Sequence, residues 1–136
     1  MRADLGFELH LNVPYEKALE RVLDALKKEG FGVVTRIEIH DIFKEKLGRD
    51  FRQYSILGAC NPQLAYRALS QRADVGLLLP CNITVEHEST RSSVVRFANP
   101  NTLVTASGLD HVGAMRDVAA EALARLSRVA ESLQGS

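Results

Sequence analysis

The 136-residue sequence has no tryptophan, only two cysteines, four prolines and a formal net charge of zero. Each shortage closes off a class of function. Two cysteines do not make the disulfide framework of a small secreted scaffold, and cytosolic thiols stay reduced, so a structural disulfide is not expected. Seventeen Lys+Arg balanced by seventeen Asp+Glu leave no net field to gather nucleic acid or an anionic bilayer, and neither partner is expected. No segment nears the roughly 18 uninterrupted apolar residues of a membrane span. The opening "MRADLGFELH" carries Asp4 and Glu8 and has no apolar core of signal-peptide length, so the expected address is the cytoplasm. Glycine-rich phosphate loops, paired catalytic carboxylates and aromatic-basic interleaving are all missing.

What remains is an ordinary globular composition, 46% hydrophobic and 25% charged, at single-domain length. Residues 5–12 alternate Leu5, Phe7, Leu9, Leu11 with polar partners, the period of a half-buried strand. Pro14 suits a helix start, Leu19, Val22, Leu23 and Leu26 make its apolar stripe, and Gly30 ends it. A second strand is expected with Phe31, Val33, Thr35, Ile37 and Ile39 on one face. A short helix over 41–48 would open at Asp41 and close at Gly48, before a third strand at about 51–58.

Asn61-Pro62 reads as cap plus first turn of a helix to about Gln71, with Leu64, Ala65, Ala68 and Leu69 inward. The run Val75–Leu79 lacks polar alternation and predicts a strand covered on both faces, with Pro80 at a bulge or edge. The strand then resumes as "CNITVEHE" and turns into "SSVVRFA". A loop, "NPNTLVTASG", leads to a long helix capped by Asp110, with Met115, Ala119, Ala122, Leu126, Val129 and Leu133 at helical spacing and a frayed tail at 133–136. Clean alternation in the first two strands argues against a doubly wound parallel sheet. The expected fold is a single α+β domain: a mixed or mainly antiparallel sheet of about five strands with helices on one face.

The only cysteines both precede asparagine, as Cys60-Asn61 and Cys81-Asn82. Cys60 is expected at a strand end just before a helix N-terminus, whose free N–H groups favour anions and thiolates. If the flanking strands are neighbours, both pairs share one edge of the sheet. Metal-ligand spacing is absent, since the cysteines are 21 positions apart, so no metal site is expected. A composite of both thiols with one of His10, His40, His87 or His111 is the alternative. Lys44 or Lys46 would be the nearby cation.

The strings "KLG" at 46–48, "LGACNP" at 57–62, Ala65, Ala68-Leu69 and "GLLLPCN" at 76–82 resemble the domain-of-unknown-function family 302. The resemblance extends from the first strand through "VVRFANP". It implies a compact α+β domain that forms homodimers through its sheet, and it hints at sulfur or thiol chemistry because some relatives stand beside sulfur-handling proteins. The expected function is a homodimeric module binding a small anionic or thiol-containing ligand at Cys60, Asn61, Cys81 and Asn82, with Lys46 close by. A thiol-redox or sulfur-transfer enzyme using the Cys60 thiolate is one alternative, and a structural dimer with no ligand is the other. No particular cofactor follows from the sequence.

Overall fold

The computed structural model of the chain describes residues 5–134. The chain runs β1 (Gly6–Leu11), α1 (Tyr15–Lys28), β2 (Gly32–Glu38), α2 (Ile39–Leu47), β3 (Tyr54–Cys60), α3 (Pro62–Gln71), a 3-10 turn (Ala73–Leu78), β4 (Cys81–Ser89), β5 (Ser92–Ala98), α4 (Pro100–Ala106), a second 3-10 turn (Leu109–His111) and α5 (Gly113–Gln134). The five strands form one sheet in the order β1-β5-β4-β3-β2, antiparallel at every pairing. The chain is an α+β fold, and the sheet is wholly antiparallel.

One face of this sheet carries the core. Leu9 and Leu11 of β1, Leu57 and Ala59 of β3, Ile83 and Val85 of β4, and Val95 and Phe97 of β5 meet the apolar stripes of α1 and α5. Leu26 of α1 and Leu126 of α5 are wholly buried there. Each such leucine removed from water contributes about 1.5–3 kcal/mol. Helix α1 ends in the way its glycine predicts. Gly30 adopts φ 84, Phe31 N–H donates to Leu26 C=O, and Gly30 N–H donates to Lys27 C=O, which satisfies carbonyls the last turn would leave free.

A second, smaller cluster sits beyond the sheet end where β3 stops and β4 begins. Ala68 of α3, Val75, Leu109 and Met115 of α5 form it, with Leu78, Leu79 and Val104 against them.

Several expectations change. "VGLLL" is no strand: Ala73–Leu78 is a 3-10 turn in which Val75 is buried and Leu77 is 88% exposed. A continuous apolar run does not distinguish a buried strand from a short segment lining a second cluster. In β2 the register slips between Val33 and Thr35, so the alternation does not lie on one face; most of this edge strand is exposed, and Ile39 already belongs to α2. Asp41 lies in the first turn of α2 and Glu38 holds the cap position; β3 starts at Tyr54. Leu69 is largely exposed on α3, whereas Leu64 and Ala68 are buried.

The "NPNTLVTASG" segment contains α4. Asn99 accepts hydrogen bonds from the backbone N–H groups of Asn101 and Thr102, and Pro100 stands in the first turn. This repeats the Asn61-Pro62 signal. Asp110 belongs to the second 3-10 turn and not to the cap of α5, which runs through Gln134 with Leu133 buried. Residues 135 and 136 lie outside the described residues.

Candidate functional site

Strand pairing puts the two Cys-Asn pairs side by side. In the antiparallel β3–β4 ladder Cys81 stands opposite Ala59 and Asn82 opposite Gly58, so Cys60 is the next residue beyond Cys81's partner. Successive strand residues point to opposite faces. Cys81 and Asn82 therefore face opposite sides of the sheet, and Cys60, the last residue of β3, lines the cavity on the side of Cys81 together with Asn61.

Cys60, Asn61 and Cys81 line a cavity of about 70 Å³ enclosed by the start of α3, the Leu78-Leu79 turn, α4 and α5. Its walls are otherwise apolar, and none of its lining residues is charged. Both cysteines are partly buried free thiols. Burial raises the pKa of the Cys81 thiol, and the charge of the Cys60 thiolate nearby raises it further.

Asn61 has a complete structural role. Its Oδ1 accepts from Leu64 N–H at 3.2 Å, capping α3, and its Nδ2 donates to Glu29 C=O at 3.5 Å across the end of α1.

Asn82 instead lies on the face of the sheet away from the core and lines a groove of about 760 Å³. Glu8, Tyr54, Thr84 and Arg96 share this groove with Leu5, Phe7, Leu77, Leu78, Leu79 and Pro80. A polar row crosses the same face. Arg96 donates to Glu8 at 2.8 Å and to Glu86 at 2.5 Å, and Arg52 pairs with Glu86 from the other side. Burial alone would raise the pKa of Glu86, but hydrogen bonds from Arg96 and Arg52 outweigh it and hold the carboxyl below the usual range. The Thr84 hydroxyl is buried and has no hydrogen-bond partner among the described residues. Leu78, Leu79 and Leu103 line both concavities and so form a shared wall.

The expected cation does not join the cysteines. Gly32 of β2 pairs with Cys60 and Glu38 pairs with Ser55, so α2 departs from the far end of β3. Five residues of strand, roughly 16 Å at about 3.3 Å per residue, separate that end from Cys60. Lys46 is exposed on α2, and Lys44 is held by Asp50 at 3.0 Å. The composite site with histidine is also overturned. None of His10, His40, His87 and His111 lines the small cavity. His10 pairs with Glu88 on the open face, His40 meets Glu38 at the α2 end, and His111 sits in the second 3-10 turn. Among the described residues no three His, Cys, Asp or Glu side chains gather as a metal site, and no helix is long and apolar enough to cross a membrane.

Reading the motifs alone missed Glu8, Glu86 and Arg96. The signal was present in "CNITVEHE", whose alternate residues Asn82, Thr84, Glu86 and Glu88 mark a polar sheet face opposite Ile83 and Val85.

A family model described as Domain of unknown function DUF302 matches residues 7–133. The crystal structure of an uncharacterized conserved DUF302 protein from Bacillus stearothermophilus is similar at a TM-score of 0.81 and 31% identity, covering 93% of this chain and 96% of that one. No curated protein matches.

Proposed function

The chain belongs to the DUF302 family, and we propose that it is a binding module for a small amphipathic molecule carried in the groove on its open sheet face. The single observation that carries this reading is the groove itself. A volume of about 760 Å³ lies within the range of about 300–1,000 Å³ typical of small-molecule sites. Its apolar wall from Leu77 to Pro80 faces a short set of polar groups, Glu8, Asn82, Thr84 and Arg96. The apolar part of the ligand contacts the wall, and a polar or anionic head meets Arg96, Asn82 and the unpartnered Thr84 hydroxyl. The two-cysteine cavity behind the Leu78-Leu79 wall is too small for such a molecule. Any thiol chemistry of Cys60 is a separate event there.

Titration with anilinonaphthalene sulfonate, a fluorescent apolar anion, tests the reading. Saturable binding of one dye per chain is expected, weakened at least tenfold in Arg96→Ala and abolished by Thr84→Trp, which fills the groove. Binding that is non-saturable, or unchanged in Thr84→Trp, would sink the proposal.

Self-association is the second part of the reading, because α2 buries none of its residues. Ile42 and Leu47 on α2 stand exposed, as do Ile37 near the end of β2 and Phe51 just after α2. Contiguous exposed apolar residues mark association surfaces, and the occupant we propose is a second copy of this chain. Light scattering on eluting protein should give twice the chain mass, and Ile42→Asp should return it to the monomer. A wild-type monomer at tens of micromolar would exclude it.

A further inference from the structure

The small cavity carries an inference independent of the groove. We propose that it binds a single soft monovalent cation of the Cu(I) or Ag(I) type, ligated by the thiolates of Cys60 and Cys81 and the thioether of Met115.

Size limits the occupant first. The volume of about 70 Å³ is several times below that of a small-molecule site. Organic ligand sites begin at about 300 Å³, so what enters here is an ion or a group of one or two heavy atoms.

The donor set decides which ion. Among the described residues lining the cavity, only Cys60, Asn61, Cys81 and Met115 carry side-chain heteroatoms. Asn61 is committed to Leu64 N–H and Glu29 C=O. Three sulfurs remain, and no carboxylate or imidazole lies among the walls. Calcium and magnesium take oxygen ligands, and zinc completes a tetrahedron with further thiolate, imidazole or carboxylate. Soft thiolate and thioether donors suit Cu(I), zinc and iron–sulfur clusters, and three sulfurs with no fourth protein ligand leave the low-coordinate Cu(I) type. Sequence spacing argues against a metal because the two cysteines stand 21 positions apart. The third donor comes instead from Met115, 55 positions beyond Cys60 on α5 and 1% exposed.

Charge is compatible with the site. Two thiolates and one monovalent cation leave one net negative charge beside the start of α3, where the helix dipole presents a partial positive charge. On binding, each ligating thiol releases its proton to water, two S–metal bonds form, the thioether donates a lone pair, and no electron is transferred.

Anaerobic titration of the full chain with Ag(I), which keeps its oxidation state, tests this by native mass spectrometry and proton release. One Ag(I) per chain is expected, with about two protons displaced. Met115→Leu preserves apolar volume and should leave the metal-free melting temperature unchanged. It should weaken binding at least about tenfold, the scale at which even outer partners of a metal count. Cys60→Ser and Cys81→Ser should each remove the ion. Should those two fail to fold, X-ray absorption on silver-loaded wild type decides, with a sulfur-only shell expected. Two ions per chain, less than half an ion per chain, unchanged affinity in Met115→Leu, displacement by equimolar Zn(II), or an oxygen or nitrogen shell would each overturn the proposal.

Discussion

A β-carbon placed on Gly58 would stand 2.6 Å from Cγ of Pro80, so the proline ring rests directly on the sheet at that glycine. Thr35 Oγ1 of the neighbouring strand would come closer still. The contact joins the 3-10 turn to the open face and sets where the apolar wall of the groove stands. Gly58→Ala should therefore cost about 1–3 kcal/mol as an overpacked contact. The same variant should weaken dye binding by displacing the Leu77–Pro80 wall. Denaturant melts check the first effect, and an unchanged midpoint would mean that Pro80 does not seat on the strand.

The two asparagines that look alike in sequence should behave differently. Asn61→Ala removes the α3 cap and the bond to Glu29, with an expected loss of about 0.5–2 kcal/mol. Asn82 is exposed in the groove, so Asn82→Ala should leave the melting temperature within the scatter of a surface change while lowering affinity for a groove ligand. Equal destabilisation by both would contradict the division of the two motifs between two concavities.

Glu86 gives a pH dependence with a definite sign. Its folded carboxyl titrates below the ordinary value, despite burial, because Arg96 and Arg52 hydrogen-bond the charged form. Its contribution is present above an unfolded pKa of about 4.3 and is lost as pH falls through the lower folded value. Glu38, held down by Arg36 and Ser55 against its own burial, acts in the same direction. Glu86→Gln should be about 1–3 kcal/mol less stable at pH 7 and lose less stability on acidification. Parallel wild-type and variant curves from pH 7 to 3 would refute the assignment.

Cys81 should be alkylated with a pH profile displaced above that of an ordinary thiol of about 8.5, since burial and Cys60 both disfavour its thiolate. Iodoacetamide labelling resolved by peptide mass measures each cysteine separately. A Cys81 midpoint at or below the ordinary value would be incompatible with the packing described for it.

Much of the fold was legible in the sequence. Residues 5–12 alternate and form β1, Asn61-Pro62 opens α3, and Met115 through Leu133 recur at helical spacing and bury themselves along α5. These signals are local, because strand period, helix period and cap chemistry each act within a few residues. Asn99-Pro100 carries the same local signal for α4, but "NPNTLVTASG" lacks a long apolar stripe and so resembles a loop. The run "VGLLL" failed for a different reason. Its burial comes from α3, α4 and α5, which no window of five residues contains.

The sequence by itself determined a single α+β domain with a mixed or mainly antiparallel sheet and helices on one face, and the capped helix after Cys60. Only the tertiary structure decided which side chains share a space. The end of β3 at Cys60 and the start of β4 at Cys81 put both cysteines in the wall of one cavity, strand alternation turned Asn82 to the other face, and the departure of α2 from the far end of β3 carried Lys46 off. Packing of α5 put Met115 in the wall of the same cavity as the cysteines. The physical reason is that period and capping are fixed by neighbours in the chain, whereas a site is fixed by strand register and helix packing, which join residues far apart in it.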